Sequence, residues 1–153
     1  MKVLREIGII ARALDSIANI EFRDLELARG QYLYLVRIGE HPGIIQEELS
    51  DLLKVDRSTV ARSVKKLADK GFIRELNDHS NKKIKKWILT EKGQALYPFI
   101  LAEHAYSEKA ALKGFSQTEI LQLEKWLAKM SENVADWELV KKGQKRNYSE
   151  EKK

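Results

Sequence analysis

The stretch from Val55 to Gly71, V-D-R-S-T-V-A-R-S-V-K-K-L-A-D-K-G, constrains the fold of this chain more than any other. It has the pattern of a helix with a clear start and a clear end. Asp56 can cap the first turn, because its carboxylate can accept a hydrogen bond from the free backbone N–H groups there. Gly71 can end the helix, because glycine adopts the left-handed backbone conformation at little cost. Apolar residues at helical spacing predict one buried stripe: Val60, Val64 and Leu67.

The first two turns of this helix also carry a polar, partly basic face. Four side chains lie mostly off the apolar stripe: Arg57, Ser58, Thr59 and Arg62. Such side chains suit phosphate oxygens and the base edges in a DNA major groove. An ordinary solvated amphipathic helix has the same pattern, so this stretch alone leaves both interpretations open.

The segments on either side favour the DNA-binding interpretation. Upstream, Gly43 to Val55 forms a shorter amphipathic helix that ends in a tight break. Downstream, two strand-like runs, Phe72 to Leu76 and Ile84 to Leu89, flank a polar turn from Asn77 to Lys83. Helix, turn, helix and a basic hairpin, in this order, predict a winged helix-turn-helix.

Longer helices flank this central unit. Met1 to Asn19 carries an apolar stripe, and after a polar link Gly30 to Glu40 forms a second helix. On the other side, Thr90 can cap a helix that runs to about Lys113. Pro98 inside this helix predicts a kink or the local loss of one hydrogen bond. A capping box in Ser116 to Glu119 then starts a last helix, which is predicted to continue through Trp137.

The predicted fold class is mainly α with a small β-hairpin wing (α+β). The winged helix-turn-helix covers about residues 30–90 of a single domain, 1–140, and a charged tail, 141–153, is predicted to be disordered. The N- and C-terminal helices, about 1–19 and 91–140, are predicted to pack onto a second copy; the alternative is that they close the core of a monomer. A homodimer would hold two reading helices roughly 34 Å apart and prefer a near-palindromic site.

Composition excludes several classes of function. The formal net charge of +5 favours polyanionic partners, and the absence of cysteine excludes disulfides, thiolate metal sites and cysteine redox sensing. No apolar run is long enough to span a membrane, and the N-terminus lacks a signal-peptide pattern, so a cytoplasmic protein is expected. An enzyme is not expected, because the chain has no glycine-rich phosphate loop, no paired nucleophile and base, and no recognisable carboxylate pair. No cofactor is predicted.

The stretch from Pro42 to Gly93 resembles the MarR family of bacterial transcription regulators. The resemblance rests on H-P-G-I-I-Q-E-E-L, on D-R-S-T-V-A-R-S-V-K-K-L-A-D-K-G-F-I-R, and on L-T-E-K-G at Leu89 to Gly93. It implies a homodimeric, DNA-binding, ligand-responsive regulator, with repression as the usual mode. The family's wing motif, aspartate-x-arginine, corresponds to Asn81 and Lys83 here, so the positive charge is kept while the planar guanidinium is lost.

Arg62 is the leading candidate for a base or phosphate contact, because its guanidinium fork can bind guanine or phosphate bidentately. The helix start also favours phosphate through its free backbone N–H groups. The full set of predicted DNA-binding residues is Gln46, Arg57, Ser58, Thr59, Arg62, Lys82, Lys83 and Lys85.

By resemblance, an effector would bind between the terminal helices and the winged helix, and an aromatic or phenolic carboxylate would suit the aromatic residues available. The candidates are Arg12, Tyr32, Tyr34 and Trp87, with Tyr106 as a further possibility. Each of these is more often a simple core or surface residue.

Three other functions stay open at this point. A zinc-responsive regulator would use nitrogen and oxygen ligands, and the candidate residues are His41, His104 and Glu108. A winged helix can also serve as a protein-interaction module or as a non-specific DNA-binding module.

Overall fold

The computed structural model describes residues 2–76 and 83–146. Its main elements are helices and one hairpin, which confirms the predicted fold class. In chain order they are α1 (Val3–Glu21), a 3-10 helix (Arg23–Leu25), α2 (Gln31–Glu40), α3 (Gln46–Leu53), α4 (Arg57–Asp69), β1 (Ile73–Glu75), β2 (Trp87–Leu89), α5 (Glu91–Ala111), α6 (Gln117–Asn133) and α7 (Trp137–Lys141). The chain divides into two compact units, the first ending at Ala110 and the second beginning at Ala111.

Helix α4 begins and ends where the sequence predicts. The Asp56 carboxylate accepts a hydrogen bond of 2.9 Å from the backbone N–H of Thr59. After the last turn, Gly71 adopts a left-handed conformation with φ of +80°. The stripe of Val60, Val64 and Leu67 is almost completely buried. These residues fix α4 in the core of the first unit by one face only.

The turn between α3 and α4 is fastened by Ser50. This side chain is fully buried, and its hydroxyl donates a 2.6 Å hydrogen bond to the backbone carbonyl of Val55. In the other direction, the Val55 backbone N–H donates to the Ser50 carbonyl at 3.2 Å. Between them Lys54 has a positive φ of 54°, which lets the chain reverse within a few residues. The angle between the two helices therefore depends on the two reciprocal hydrogen bonds between Ser50 and Val55.

Replacing Ser50 by alanine is expected to lower the free energy of unfolding by about 1–2 kcal/mol, because the Val55 carbonyl loses its donor in a partly buried turn. Urea denaturation at one fixed protein concentration would measure the loss. Ser58→Ala, at an exposed position of α4, is the matched control and should change stability by less than about 0.5 kcal/mol. Equal stability of the Ser50→Ala variant and the parent would contradict this role.

The wing is a short antiparallel hairpin joined to the α2–α3 loop. Its register pairs Ile73 with Leu89 and Glu75 with Trp87. Trp87 also forms a bridge to Ile44, with backbone hydrogen bonds of 2.9 Å to Ile44 and 2.8 Å from Gly43. The predicted strand from Ile84 to Leu89 is too long, because Ile84 lies in a bend and strand pairing begins at Trp87. The predicted turn at residues 77–82 lies outside the described residues.

The N-terminal end of α5 is held by hydrogen bonds to the segment that follows α4. Thr90 donates its backbone N–H to the Phe72 carbonyl at 3.0 Å and its hydroxyl to the Gly71 carbonyl at 2.5 Å. The same hydroxyl accepts the backbone N–H of Gly93 at 3.1 Å, as predicted for a helix cap. Gly93 lies so close to this segment that an added Cβ would be 2.2 Å from the Phe72 carbonyl oxygen.

The second unit contains the predicted capping box, but not one continuous last helix. At the start of α6, the Ser116 hydroxyl accepts the backbone N–H of Glu119, and the Glu119 carboxylate accepts the backbone N–H of Ser116. The prediction of a helix through Trp137 is wrong, because α6 ends at Asn133 and α7 begins at Trp137. Asparagine has a low helix propensity, and the backbone bonds between α6 and α7 span three residues rather than four.

The first six residues of the predicted disordered tail, 141–146, lie in the described part of the chain. Lys141 still belongs to α7, and Arg146 forms a bidentate pair with Asp136 at 2.6 and 2.7 Å. The remaining residues, 147–153, lie outside the described part of the chain. The extent of the predicted single domain, 1–140, stays a prediction.

Candidate nucleic-acid interface

The polar face of α4 points away from the core and forms the centre of the candidate interface. Arg57, Ser58 and Arg62 are exposed, and Thr59 is half-buried. They occupy the first two turns, opposite the buried valine and leucine stripe. The helix therefore presents a compact set of donors and acceptors on a rigid support.

A chain of hydrogen bonds orients the Arg62 guanidinium. Both oxygens of the Asp56 carboxylate accept from Thr59, one from its backbone N–H and one, at 2.8 Å, from its hydroxyl. Since that hydroxyl proton is used by Asp56, the Thr59 oxygen is left as an acceptor for Arg62 Nη2 at 3.2 Å. The hydrogen bonds from Thr59 lower the pKa of the Asp56 carboxyl below its usual range, and the charge of Arg62 contributes further. Arg62 is thus partly pre-organised for binding.

Arg57 lies at the first position of α4 and is paired across the helix-turn-helix. Its guanidinium Nη2 bonds to the carboxylate of Glu47, the second residue of α3. Gln46, a predicted phosphate contact, is the first residue of α3 and precedes Glu47 directly. The structure therefore brings the starts of both helices to one side of the motif. The sequence pattern does not indicate Glu47, because its partner is ten residues away in the chain.

The wing contributes a second basic area. Lys83 and Lys85 are exposed, while Lys82 lies outside the described residues. Lys85 pairs with Glu75 on the facing strand at 3.3 Å. Arg74 is an additional exposed cation on β1. The sequence does not indicate it, because the strand pattern alone does not show which way its side chain points.

A polar cluster behind α4 joins three distant segments of the first unit. Lys92 at the start of α5 donates to the Glu26 carboxylate at 2.9 Å and to the Lys70 carbonyl at 3.0 Å. Lys70, after the last turn of α4, donates to the Glu26 carbonyl at 2.7 Å and to the Gln31 side chain at 3.1 Å. The hydrogen bond and charge of Lys92 lower the pKa of the Glu26 carboxyl. This cluster fixes the C-terminal end of α4, opposite to the end that carries the predicted DNA contacts.

The predicted effector-binding residues fall into two environments. Tyr32, Tyr34 and Trp87 are buried in the core of the first unit, whereas Arg12 is exposed on α1. The Tyr32 hydroxyl donates to Asp15 at 2.9 Å, and burial together with this bond raises the pKa of the tyrosine. The Tyr32 ring also packs edge-on against His104 with 5.6 Å between ring centroids. Tyr106 is largely exposed. Their role in effector binding stays a prediction.

The proposed zinc ligands are not assembled into a site in the described part of the chain. His41 lies beside Glu40 at the end of α2, with 4.0 Å between nitrogen and oxygen. His104 lies beside Glu103 on α5 at 3.9 Å, and Glu108 is an exposed residue further along the same helix. Among residues 2–76 and 83–146, no group of three or more histidine or acidic side chains is arranged to hold a metal ion.

The terminal helices expose apolar side chains in both units. On α1 the exposed fractions include 61% for Val3, 67% for Leu4 and 62% for Ile20. In the second unit, Trp126 of α6 is exposed by 59%. No helix in the described residues is both long enough and apolar enough to cross a membrane.

Comparisons with known proteins agree with this architecture. The sequence model of the MarR family matches residues 27–85, which include α2 to the start of the wing. The chain is similar to the uncharacterized HTH-type transcriptional regulator YybA of Bacillus subtilis, with 57% identity over 147 residues that cover 95% of this chain and 98% of YybA.

Solved structures extend the similarity to more than nine tenths of the chain. A MarR family transcriptional regulator from Listeria monocytogenes, crystallised with a 26mer DNA, has a TM-score of 0.92 and 56% identity, covering 95% of this chain and 97% of that chain. The crystal structure of a transcriptional regulator named SlyA has a TM-score of 0.86 and 57% identity, covering 92% of this chain and 99% of the other.

Proposed function

Because this chain belongs to the MarR family of transcriptional regulators, we propose that it binds double-stranded DNA sequence-specifically as a homodimer. The family membership confirms the resemblance found in the sequence, and it confirms the prediction of a regulator rather than an enzyme. The single observation that carries the proposal is the exposed face of α4, where Arg62 is oriented by Thr59 while the opposite face is buried.

The electrostatics of the first unit support major-groove binding. Arginine forks can bind guanine bidentately, and the free backbone N–H groups at the starts of α3 and α4 favour phosphate. Lys83, Lys85 and Arg74 would contact the sugar-phosphate backbone or the minor groove from the wing. The DNA complex of the Listeria relative, at 56% identity, supports the same use of this fold here.

The homodimer is supported by the exposed apolar side chains of the terminal helices. Contiguous exposed apolar surface is unusual in a monomeric protein and marks interaction sites. An isologous dimer would bury such a surface and place two α4 helices on successive turns of DNA, which favours a near-palindromic operator. The apolar residues of α1 that would contribute are Val3, Leu4, Ile10, Leu14 and Ile17.

We further propose repression, relieved by a small aromatic or phenolic effector, as the mode of action on cytoplasmic DNA. Tyr32 is the candidate best suited to transmit the effect of a bound effector between helices. Its side chain, on α2, bonds to Asp15 on α1 and packs against the His104 ring on α5.

The experiment that tests the proposal is selection of bound duplexes from a random pool at about 0.15 M salt, where screening weakens purely electrostatic binding. We expect enrichment of a near-palindrome whose half-sites are one helical turn apart. Sedimentation of the purified protein should show a dimer in the same buffer. Binding without enrichment would replace this proposal by a non-specific DNA-binding module, and no binding would favour a protein-interaction module.

A further inference from the structure

The ion pair between Glu47 and Arg57 lies inside the candidate DNA interface. Glu47 is in the first turn of α3 and Arg57 is the first residue of α4, so both lie at the helix starts that are expected to approach phosphate. Their side chains are 58% and 66% exposed, respectively, and the pair is therefore accessible to a DNA backbone. A carboxylate at this position is unexpected for a surface that binds only phosphates.

The Glu47 carboxylate and a DNA phosphate compete for the same donors. An arginine fork binds either anion through paired N–H groups, and one of its terminal nitrogens is already used by Glu47. The N-terminal end of α3 favours a negatively charged side chain such as Glu47. Arg57 can offer its full bidentate fork to a phosphate only if it leaves Glu47, whereas its remaining donors can contact a base edge while the pair is kept.

We propose that Glu47 is a specificity-determining residue, which restrains Arg57 from arbitrary phosphates and holds it for a contact in the operator. This inference rests on the proposed function as a sequence-specific DNA-binding protein. Non-specific binding derives almost entirely from phosphate neutralisation, so it is weakened when Arg57 is held back. Operator binding retains the pair and is weakened less. Glu47 thus raises the ratio of the two affinities without contacting DNA itself.

The test uses Glu47→Gln on two duplexes, the selected operator and a scrambled duplex of the same composition, over a series of salt concentrations. We expect the affinity for the scrambled duplex to rise by up to about fivefold, which is the upper end of the range for releasing an exposed ion pair. The slope of log affinity against log salt should steepen by about 0.9 on that duplex, as one more phosphate is neutralised. The affinity for the operator should stay the same or fall.

Two further variants make the result specific to the pair. Glu48→Gln removes the same charge from the same turn of α3, and it should not change the ratio of operator to scrambled affinity. In an Arg57→Gln background, Glu47→Gln should lose its effect on the scrambled duplex. Circular dichroism would verify that all variants are folded.

Four outcomes would overturn the inference. Equal gains for Glu47→Gln and Glu48→Gln would show a general charge effect, and a gain that persists without Arg57 would show direct repulsion of phosphate. If the parent prefers the operator and Glu47→Gln leaves the ratio of operator to scrambled affinity unchanged, the inference is overturned while the proposed function stands. A parent protein without operator preference would overturn the proposed function as well.

Discussion

Replacing Gly93 by alanine is expected to lower the free energy of unfolding by about 2–3 kcal/mol, a typical cost of overpacking. The added Cβ would be 2.2 Å from the Phe72 carbonyl oxygen and 3.2 Å from its carbonyl carbon. These are backbone atoms, so no side chain can rotate away to make room. The carbonyl also accepts the Thr90 backbone N–H, and moving it would disturb the attachment of α5 to the segment between α4 and β1.

Gly8→Ala is the matched control for this experiment, because both glycines are inside helices. At Gly8 the nearest atoms to an added Cβ are at the end of the flexible Arg12 side chain, at 3.0 Å or more. Alanine is favoured over glycine in a helix interior by up to about 1 kcal/mol, so Gly8→Ala should be neutral or stabilising. Urea denaturation of both variants at equal protein concentration would measure the difference. A Gly93→Ala protein as stable as the parent would contradict the close approach of α5 to the Phe72 backbone.

Replacing Arg62 by alanine is expected to weaken operator binding by about 1–3 kcal/mol, which is about 5- to 150-fold in the dissociation constant. The hydrogen bond from Arg62 to Thr59, which is itself held by Asp56, leaves the guanidinium oriented before DNA binds. The variant should also lose discrimination at one base position. Because the side chain is exposed, the stability of the protein should change by less than about 0.5 kcal/mol.

Lys83→Ala in the wing provides the comparison for Arg62→Ala. A contact to the DNA backbone carries no sequence information, so this variant should weaken operator and random duplexes to a similar extent and shrink the salt slope by about one. Titrations of both variants on both duplexes would separate base reading from phosphate binding. An Arg62→Ala protein that binds both duplexes like the parent would remove Arg62 from the interface.

The elements that the sequence predicts well are those whose causes are local. The cap at Asp56, the left-handed Gly71 and the box at Ser116 each depend on residues within one turn of helix. The same holds for the order of helices and strands, which follows from periodicity and turn residues. Local hydrogen bonding and the spacing of apolar residues were therefore sufficient to predict the winged helix.

The features that the sequence did not predict depend on contacts between distant segments. The Glu47 and Arg57 pair needs the angle between α3 and α4, and the cluster around Glu26 joins residues up to 66 positions apart. Its residue type makes Trp87 an effector candidate in the sequence, whereas in the fold it is a core residue whose backbone bridges to the distant Ile44. The break after Asn133 was hidden because the apolar spacing continues through it.

The division of α4 into a buried and an exposed face has a consequence for how such regulators diverge. Val60, Val64 and Leu67 anchor the helix, and the exposed Arg57, Ser58 and Arg62 lie off that buried stripe. A duplicated gene can therefore exchange exposed residues one codon at a time while the protein stays folded at every step. New operators become accessible by gradual mutation, and two paralogues in one genome can separate their target promoters without a change in architecture.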